Sequence, residues 1–154
     1  MLGIHDLVVV IGLLCCGITA GVFVAVAVSV VPALAAMPAT RYVEMHRLLG
    51  RGYHPLMPIV VSAAILAEVT LAVLAAGGSA RAVHLAALGC LLGVQVVSHL
   101  RMEPVNVRVR ALAPGSVPSG WTDPRRLWRS WHRVRTALAV AAFALSGMGA
   151  VLIR

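Results

Sequence analysis

Trp128-Arg129-Ser130-Trp131-His132-Arg133-Val134-Arg135-Thr136 stands directly before an apolar run that continues to Ile153. Two tryptophans, one histidine and three arginines therefore precede a segment long enough to cross a bilayer. On a helix Trp128, His132 and Arg135 fall at i, i+4 and i+7 and share a face. Tryptophan at such a position anchors the headgroup level, and arginine there follows the positive-inside rule. That account covers Trp128, Arg129 and Arg133. It leaves His132 and Arg135 at the mouth of a helix bundle where other polar side chains also converge.

Working outward, the composition fits this reading. The chain has 154 residues, 60% hydrophobic and 12% charged, with a mean hydropathy of +0.94, which is too apolar for an ordinary soluble domain. Four apolar segments, about 7–31, 55–76, 82–100 and 136–153, predict a single all-α transmembrane domain, an integral four-helix bundle. The net charge of +8 is a topology signal rather than a mark of nucleic-acid binding. Eleven arginines lie in the first and third loops or at the base of helix four, while only Arg81 and Arg154 lie on the opposite side. The bias predicts loops one and three on the cytoplasmic side and both termini outside, in a bacterial plasma membrane. It also implies attraction to anionic lipid in the surrounding bilayer. Cys15, Cys16 and Cys90 all fall inside spans and are read as small apolar residues without a disulfide.

Along the chain, Met1–Asp6 has no Lys or Arg and the apolar run that follows is too long for a signal peptide, so it is read as helix one. Gly17, Gly21, Ala25 and Ser29 recur every four residues, a smooth strip for packing inside the bundle or for a homo-oligomer. Pro32 and Pro38 are expected to end this helix. Ala39–Gly50 predicts a short interfacial helix with Tyr42, His46 and Leu49 on one face and Arg41, Glu44 and Arg51 exposed. Glu68 is the one acid deep inside a span, a functional candidate on that ground alone. It either donates a proton to a neighbour or forms a proton or cation site, at a depth shared with Cys15 or Cys16, Cys90 and Ser146. Gln95, His99 and Glu103 form a polar stripe at i, i+4 and i+8, with Pro104 expected to end the helix. The 111–122 segment reads as a mobile loop or lid. Asp123 and Pro124 start helix four ahead of the membrane.

The predicted topology gathers His46, His54, His99, Glu103, Asn106, Trp128, His132 and Arg135 at one end. One reading is a metal site, with His99, His132, His54 and Glu103 as candidate ligands for copper or iron, or with haem between His99 and His132. No HxxxH or HxH spacing accompanies it. The other reading is acid–base chemistry: a histidine removes a proton from an acidic phenol or enol, and Arg135 stabilises the anion. Asn106, Trp128, Trp131, Tyr42, His46 and His54 are then substrate-binding candidates, suited to a flat lipophilic molecule arriving from the bilayer.

Four helices in this length, Pro104-Val105-Asn106 after helix three, and Trp128 to Thr136 entering helix four resemble the anthrone oxygenase-like family of small membrane proteins. The resemblance implies a tailoring enzyme of natural-product (polyketide) biosynthesis that oxidises an anthrone with dioxygen and no conventional cofactor. It carries over Asn106, Trp128, Trp131, His132 and Arg135 as site residues; His99 and Glu103 are added from their helical spacing. His132 or His99 would be the base and Arg135 the anion stabiliser. Three other readings stand beside it. They are a redox-neutral cyclase or isomerase on a similar substrate, a small proton-coupled exporter relying on Glu68, and a structural subunit of a larger membrane complex.

Overall fold

The computed structural model describes residues 3–113 and 117–152. Helix α1 (Ile4–Ala25) runs through a π-helical turn (Val26–Val30) into α2 (Val31–Ala36). An amphipathic helix, α3 (Ala39–Tyr53), leads to α4 (Leu56–Leu74). Helix α5 (Gly78–Val97) passes through a second π turn (Ser98–Met102) into α6 (Glu103–Ala111), and α7 (Arg125–Leu152) closes the fold. No strand occurs among the described residues. Four continuous rods, Ile4–Ala36, Leu56–Leu74, Gly78–Ala111 and Arg125–Leu152, are long and apolar enough to cross a membrane. The expected all-α membrane bundle is what the chain forms. The end of the fourth span at Ile153, and Arg154, lie outside the described residues, as do Met1 and Leu2.

The rods pack in a ring, α1 against α4, α4 against α5, α5 against α7 and α7 against α1. Ala64, Ala87 and Ala142 are fully buried where they meet, because small side chains let helix backbones approach when lipid supplies no hydrophobic drive. Gly17 is part of this packing, since a Cβ there would lie 3.3 Å from the Phe143 ring, whereas nothing lies within 4 Å of Gly21. Leu14, Ile59, Leu66 and Val73 point outward and are largely exposed, as a lipid-facing surface requires.

Unequal rod lengths create the site. Helix α4 has 19 residues and the α5–α6 rod has 34. The two are joined by a short turn at one end, so at the other end α6 overshoots by about fifteen residues, roughly 22 Å at 1.5 Å per residue. The α2 end of rod one and the first turns of α7 project at the same end. Together with α3 they form a collar held by Leu34, Tyr42, Val43, Val105 and Val109, with Trp121 and Trp128 packed against them.

Two expectations fail, for one reason. Neither Pro32 nor Pro104 ends its helix; each sits two residues after a π turn and the rod continues. Proline removes the N–H that would bond four residues back, and its ring clashes with that carbonyl. The carbonyls concerned belong to Val28 and Leu100, both inside the widened turns, where the extra residue moves them away from the ring. Each π turn also holds a serine bonded to the carbonyl four residues back, Ser29 to Ala25 at 2.6 Å and Ser98 to Val94 at 2.7 Å, a contact that loosens the local ladder. Consequently Pro104-Val105-Asn106 is helical, and its helix reaches Ala111. The remaining loop is pinned where it is described. Pro118–Trp121 forms a tight turn, with Trp121 N–H donating to Pro118 O at 3.1 Å. Gly120 sits at φ +85°, which the third position of a type II turn demands. Residues 114–116 of the expected lid lie outside the described residues.

Candidate active site

Within the collar lies a cavity of about 450 Å³, inside the usual range for small-molecule sites. One side is apolar: Val22, Phe23, Val26, Val30 and Leu34 from the first rod, with Met57 and Val61 from α4. The other side carries His46, His54, Gln95, Ser98, His99, Glu103, Asn106, Arg110, Trp128 and Arg135. Both π turns contribute to the wall. Tyr53, His54, Pro58 and His99 are exposed, so the cavity opens sideways between the α3–α4 corner and the end of α5.

Asn106 is the hub of the polar wall. Trp128 Nε1–H can only donate, and it meets Asn106 Oδ1 at 3.1 Å. The amide nitrogen donates to Glu103 Oε2 at 3.3 Å, and Glu103 is also ion-paired to Arg110. The same Asn106 oxygen lies 3.1 Å from His46 Nε2. An oxygen cannot donate here, so His46 carries its proton on Nε2 and keeps a lone pair on Nδ1. Burial lowers the His46 pKa below its ordinary 6.5; the Asn106 bond opposes the shift, Arg110 adds to it and Glu103 again opposes it. The ring is therefore neutral near pH 7.

A second chain of contacts fixes Arg135. His132 is completely buried and stands behind the cavity wall. Its Nε2–H donates to the Phe23 carbonyl of α1 at 3.1 Å. Its Nδ1 accepts from Arg135 Nη2 at 3.0 Å and from Nε at 3.3 Å. Both ring nitrogens are engaged, leaving no lone pair for a substrate proton or a metal. His132 also stacks on Trp128, with centroids 5.1 Å apart and planes 8° apart. Arg135 in turn lies 4.3 Å above the Phe23 ring and faces the cavity. Among the described residues no carboxylate pairs with it.

Of the residues expected at the mouth, His46, His54, His99, Glu103, Asn106, Trp128 and Arg135 line one cavity. Three are placed elsewhere. His132 braces from behind. Tyr42 packs within the collar, off the cavity wall, beside His46 and Trp121. Trp131 lies on the outside, with Arg101 over its ring at 5.1 Å. Among the described residues no three His, Cys, Asp or Glu side chains converge to hold a metal ion. Arg110 and Phe23 were missed from sequence: Arg110 because Pro104 was expected to stop the helix, Phe23 because nothing marks one apolar residue of a span.

The Asn106 hub and the His132–Arg135 pair thus join the two stretches, Pro104–Asn106 and Trp128–Thr136, on which the family resemblance rests. The anthrone oxygenase family model matches residues 45–145, more than half of the chain. The chain belongs to the anthrone oxygenase family. Neither the curated proteins nor the solved structures give a match. Membership places this anthrone oxygenase family member among oxygenase-like tailoring enzymes.

Far from the cavity, in the opposite half of the bundle, Glu68 meets His84, with Oε2 2.8 Å from Nδ1 and neither residue exposed. Glu68 is six residues from the end of α4 and His84 six from the start of α5, so antiparallel neighbours bring them level. Counting helix three from Ala82 hid the match; the helix begins at Gly78. Cys16, Glu68 and Ser146 of the expected layer are buried, whereas Cys90 is half-buried and lies six residues beyond His84 along α5, because the helix begins earlier than expected.

Proposed function

We propose that this family member is a membrane-embedded oxygenase that oxidises a flat, lipophilic aromatic substrate of the anthrone or polyketide class within the collar cavity. One observation carries the reading: Arg135 presents a guanidinium that, among the described residues, has no carboxylate partner to a laterally open cavity whose facing wall, from the first rod and α4, is apolar. Such a site attracts an anion that is apolar elsewhere, such as the enolate of an acidic phenolic ketone. The anion is the form that dioxygen attacks.

In this mechanism His99, which lines the cavity and is exposed at its opening, takes the proton from the substrate methylene. Arg135 holds the resulting enolate oxygen. The anion gives one electron to dioxygen, the substrate radical and superoxide combine, and the peroxide loses water to leave a carbonyl. One dioxygen is consumed and one water released per substrate, with the proton returned by the base. Trp128 and Asn106 orient the ring, while His132 positions Arg135 without itself exchanging protons. No cofactor beyond dioxygen enters this scheme. The arginine bias of the collar supports a mouth on the cytoplasmic side.

The test is oxygen uptake by the detergent-purified protein with an anthrone. We expect one dioxygen per quinone formed, and a loss of about a hundredfold or more in His99→Ala, Arg135→Ala. Product formed without oxygen uptake would favour the redox-neutral isomerase, and full activity in the double variant would remove this assignment of roles. A visible spectrum and elemental analysis of the same sample test for copper, iron or haem.

A further inference from the structure

A second cavity, of about 430 Å³, lies on the far side of Leu34 and Trp128 from the first. Tyr42, Asp123, Arg125, Arg126 and Arg129 line it. Tyr42 is 2% exposed, and its hydroxyl is a buried polar atom with no hydrogen-bond partner. A buried hydroxyl left without a partner is costly, so a polar ligand here would be well matched. Burial, then Asp123, push the Tyr42 pKa up to about 12 against the opposing effect of Arg125, and the hydroxyl is a donor at neutral pH.

The net charge around it is positive. Asp123 is neutralised by Arg125, which meets Asp123 Oδ2 through Nη2 at 2.5 Å and through Nε at 2.8 Å. Arg125 also donates to Leu34 O and Met37 O at 3.1 and 2.6 Å, so it is spent on protein. Arg126 and Arg129 remain, both exposed and, among the described residues, without a carboxylate. They stand three residues apart at the N-terminal end of α7, where the helix dipole favours an anion.

We propose that this cavity binds an anionic phosphate group, held by the Arg126 and Arg129 guanidinium groups and by the Tyr42 hydroxyl. Two guanidinium groups and a hydroxyl donor match a tetrahedral oxyanion with several acceptor atoms. Because α7 enters the apolar layer just beyond, a membrane-lipid headgroup and a soluble phosphate can both reach it. Phosphate bound here sits behind Trp128 and stiffens the wall of the first cavity.

Native mass spectrometry and thermal unfolding test the proposal on the detergent-purified full chain, with phosphatidylglycerol or inorganic phosphate as probe. Wild type is expected to retain one phosphatidylglycerol, or to gain several degrees in Tm with saturating phosphate over equal ionic strength of chloride. The first outcome assigns a lipid headgroup and the second a soluble source. Tyr42→Phe and Arg126→Gln, Arg129→Gln are each expected to weaken binding tenfold or more. Arg101→Gln, Arg133→Gln, which removes two exposed charges outside the cavity, is expected to leave it within twofold. No saturable binding to wild type, or an equal loss in the Arg101 and Arg133 variant, overturns the proposal.

Discussion

At the scale of single residues, the site is decided by which nitrogen carries a proton. His46 and His132 both hold theirs on Nε2, one facing Asn106 Oδ1 and the other the Phe23 carbonyl. His46 gives the clearer pH signature. Its folded pKa lies below the ordinary 6.5, so the unfolded chain takes up the proton first as the pH falls. Its contribution to stability is complete above 6.5 and is lost as the pH drops from there through the folded value. Tm should therefore fall on acidification through this window, and His46→Gln, which keeps a donor but does not titrate there, should flatten the slope. Asn106→Leu strands His46 and Trp128 together and leaves Glu103 with Arg110 alone; a loss of about 1–3 kcal/mol and a large fall in turnover are expected from thermal melts and oxygen uptake. The sequence showed that these residue types meet at one end, because spacing places them on helix faces. It did not show which nitrogen is spent, since that depends on a backbone carbonyl from a helix more than a hundred positions away. For the same reason His132 read as a base, whereas its burial and bonds make it a brace.

At the scale of helices, two devices recur. Pro32 and Pro104 each follow a π turn carrying a serine, so the rod widens where the cavity wall needs room. Three arginines cap helix C-termini, satisfying carbonyls that have no intrahelical donor: Arg47 on Leu112 O at 2.8 Å, Arg81 on Ala72 O and Ala75 O, and Arg125 on the end of α2. The sequence counted these arginines as topology signals, but a charge count cannot tell a cap from a solvated cation. Arg125→Lys keeps the charge and loses the fork; a Tm drop corresponding to about 1–2 kcal/mol is expected, whereas Arg133→Lys should change nothing measurable. Glycine positions separate just as sharply. A Cβ on Gly149 would come within 2.5 Å of the His84 ring, while nothing lies within 4 Å of Gly89. Gly149→Ala should cost about 1–3 kcal/mol, and Gly89→Ala should cost nothing.

At the scale of the whole molecule, the number of spans was legible because about 20 apolar residues in a row have few other uses. Their lengths were not, and the mismatch between a 19-residue α4 and its longer neighbours is what makes the collar. If the mouth faces the cytoplasm as proposed, a single reporter cysteine at Ser119, after Cys15, Cys16 and Cys90 are replaced by alanine, should react with an impermeant thiol reagent only after the membrane is permeabilised. Ready labelling in intact cells would invert the topology. The Glu68–His84 pair belongs to the other half of the bundle, so Glu68→Gln should lower Tm while oxygen uptake per folded protein stays unchanged; the exporter reading requires the reverse. The family match begins at residue 45, after the first rod, yet that rod supplies the apolar wall and the oxygen that orients His132. What α1 contributes there is main chain, which no side-chain replacement can delete. A saturation scan would score Phe23 by its ring alone and leave its carbonyl genetically silent, although it sets the tautomer on which the guanidinium rests.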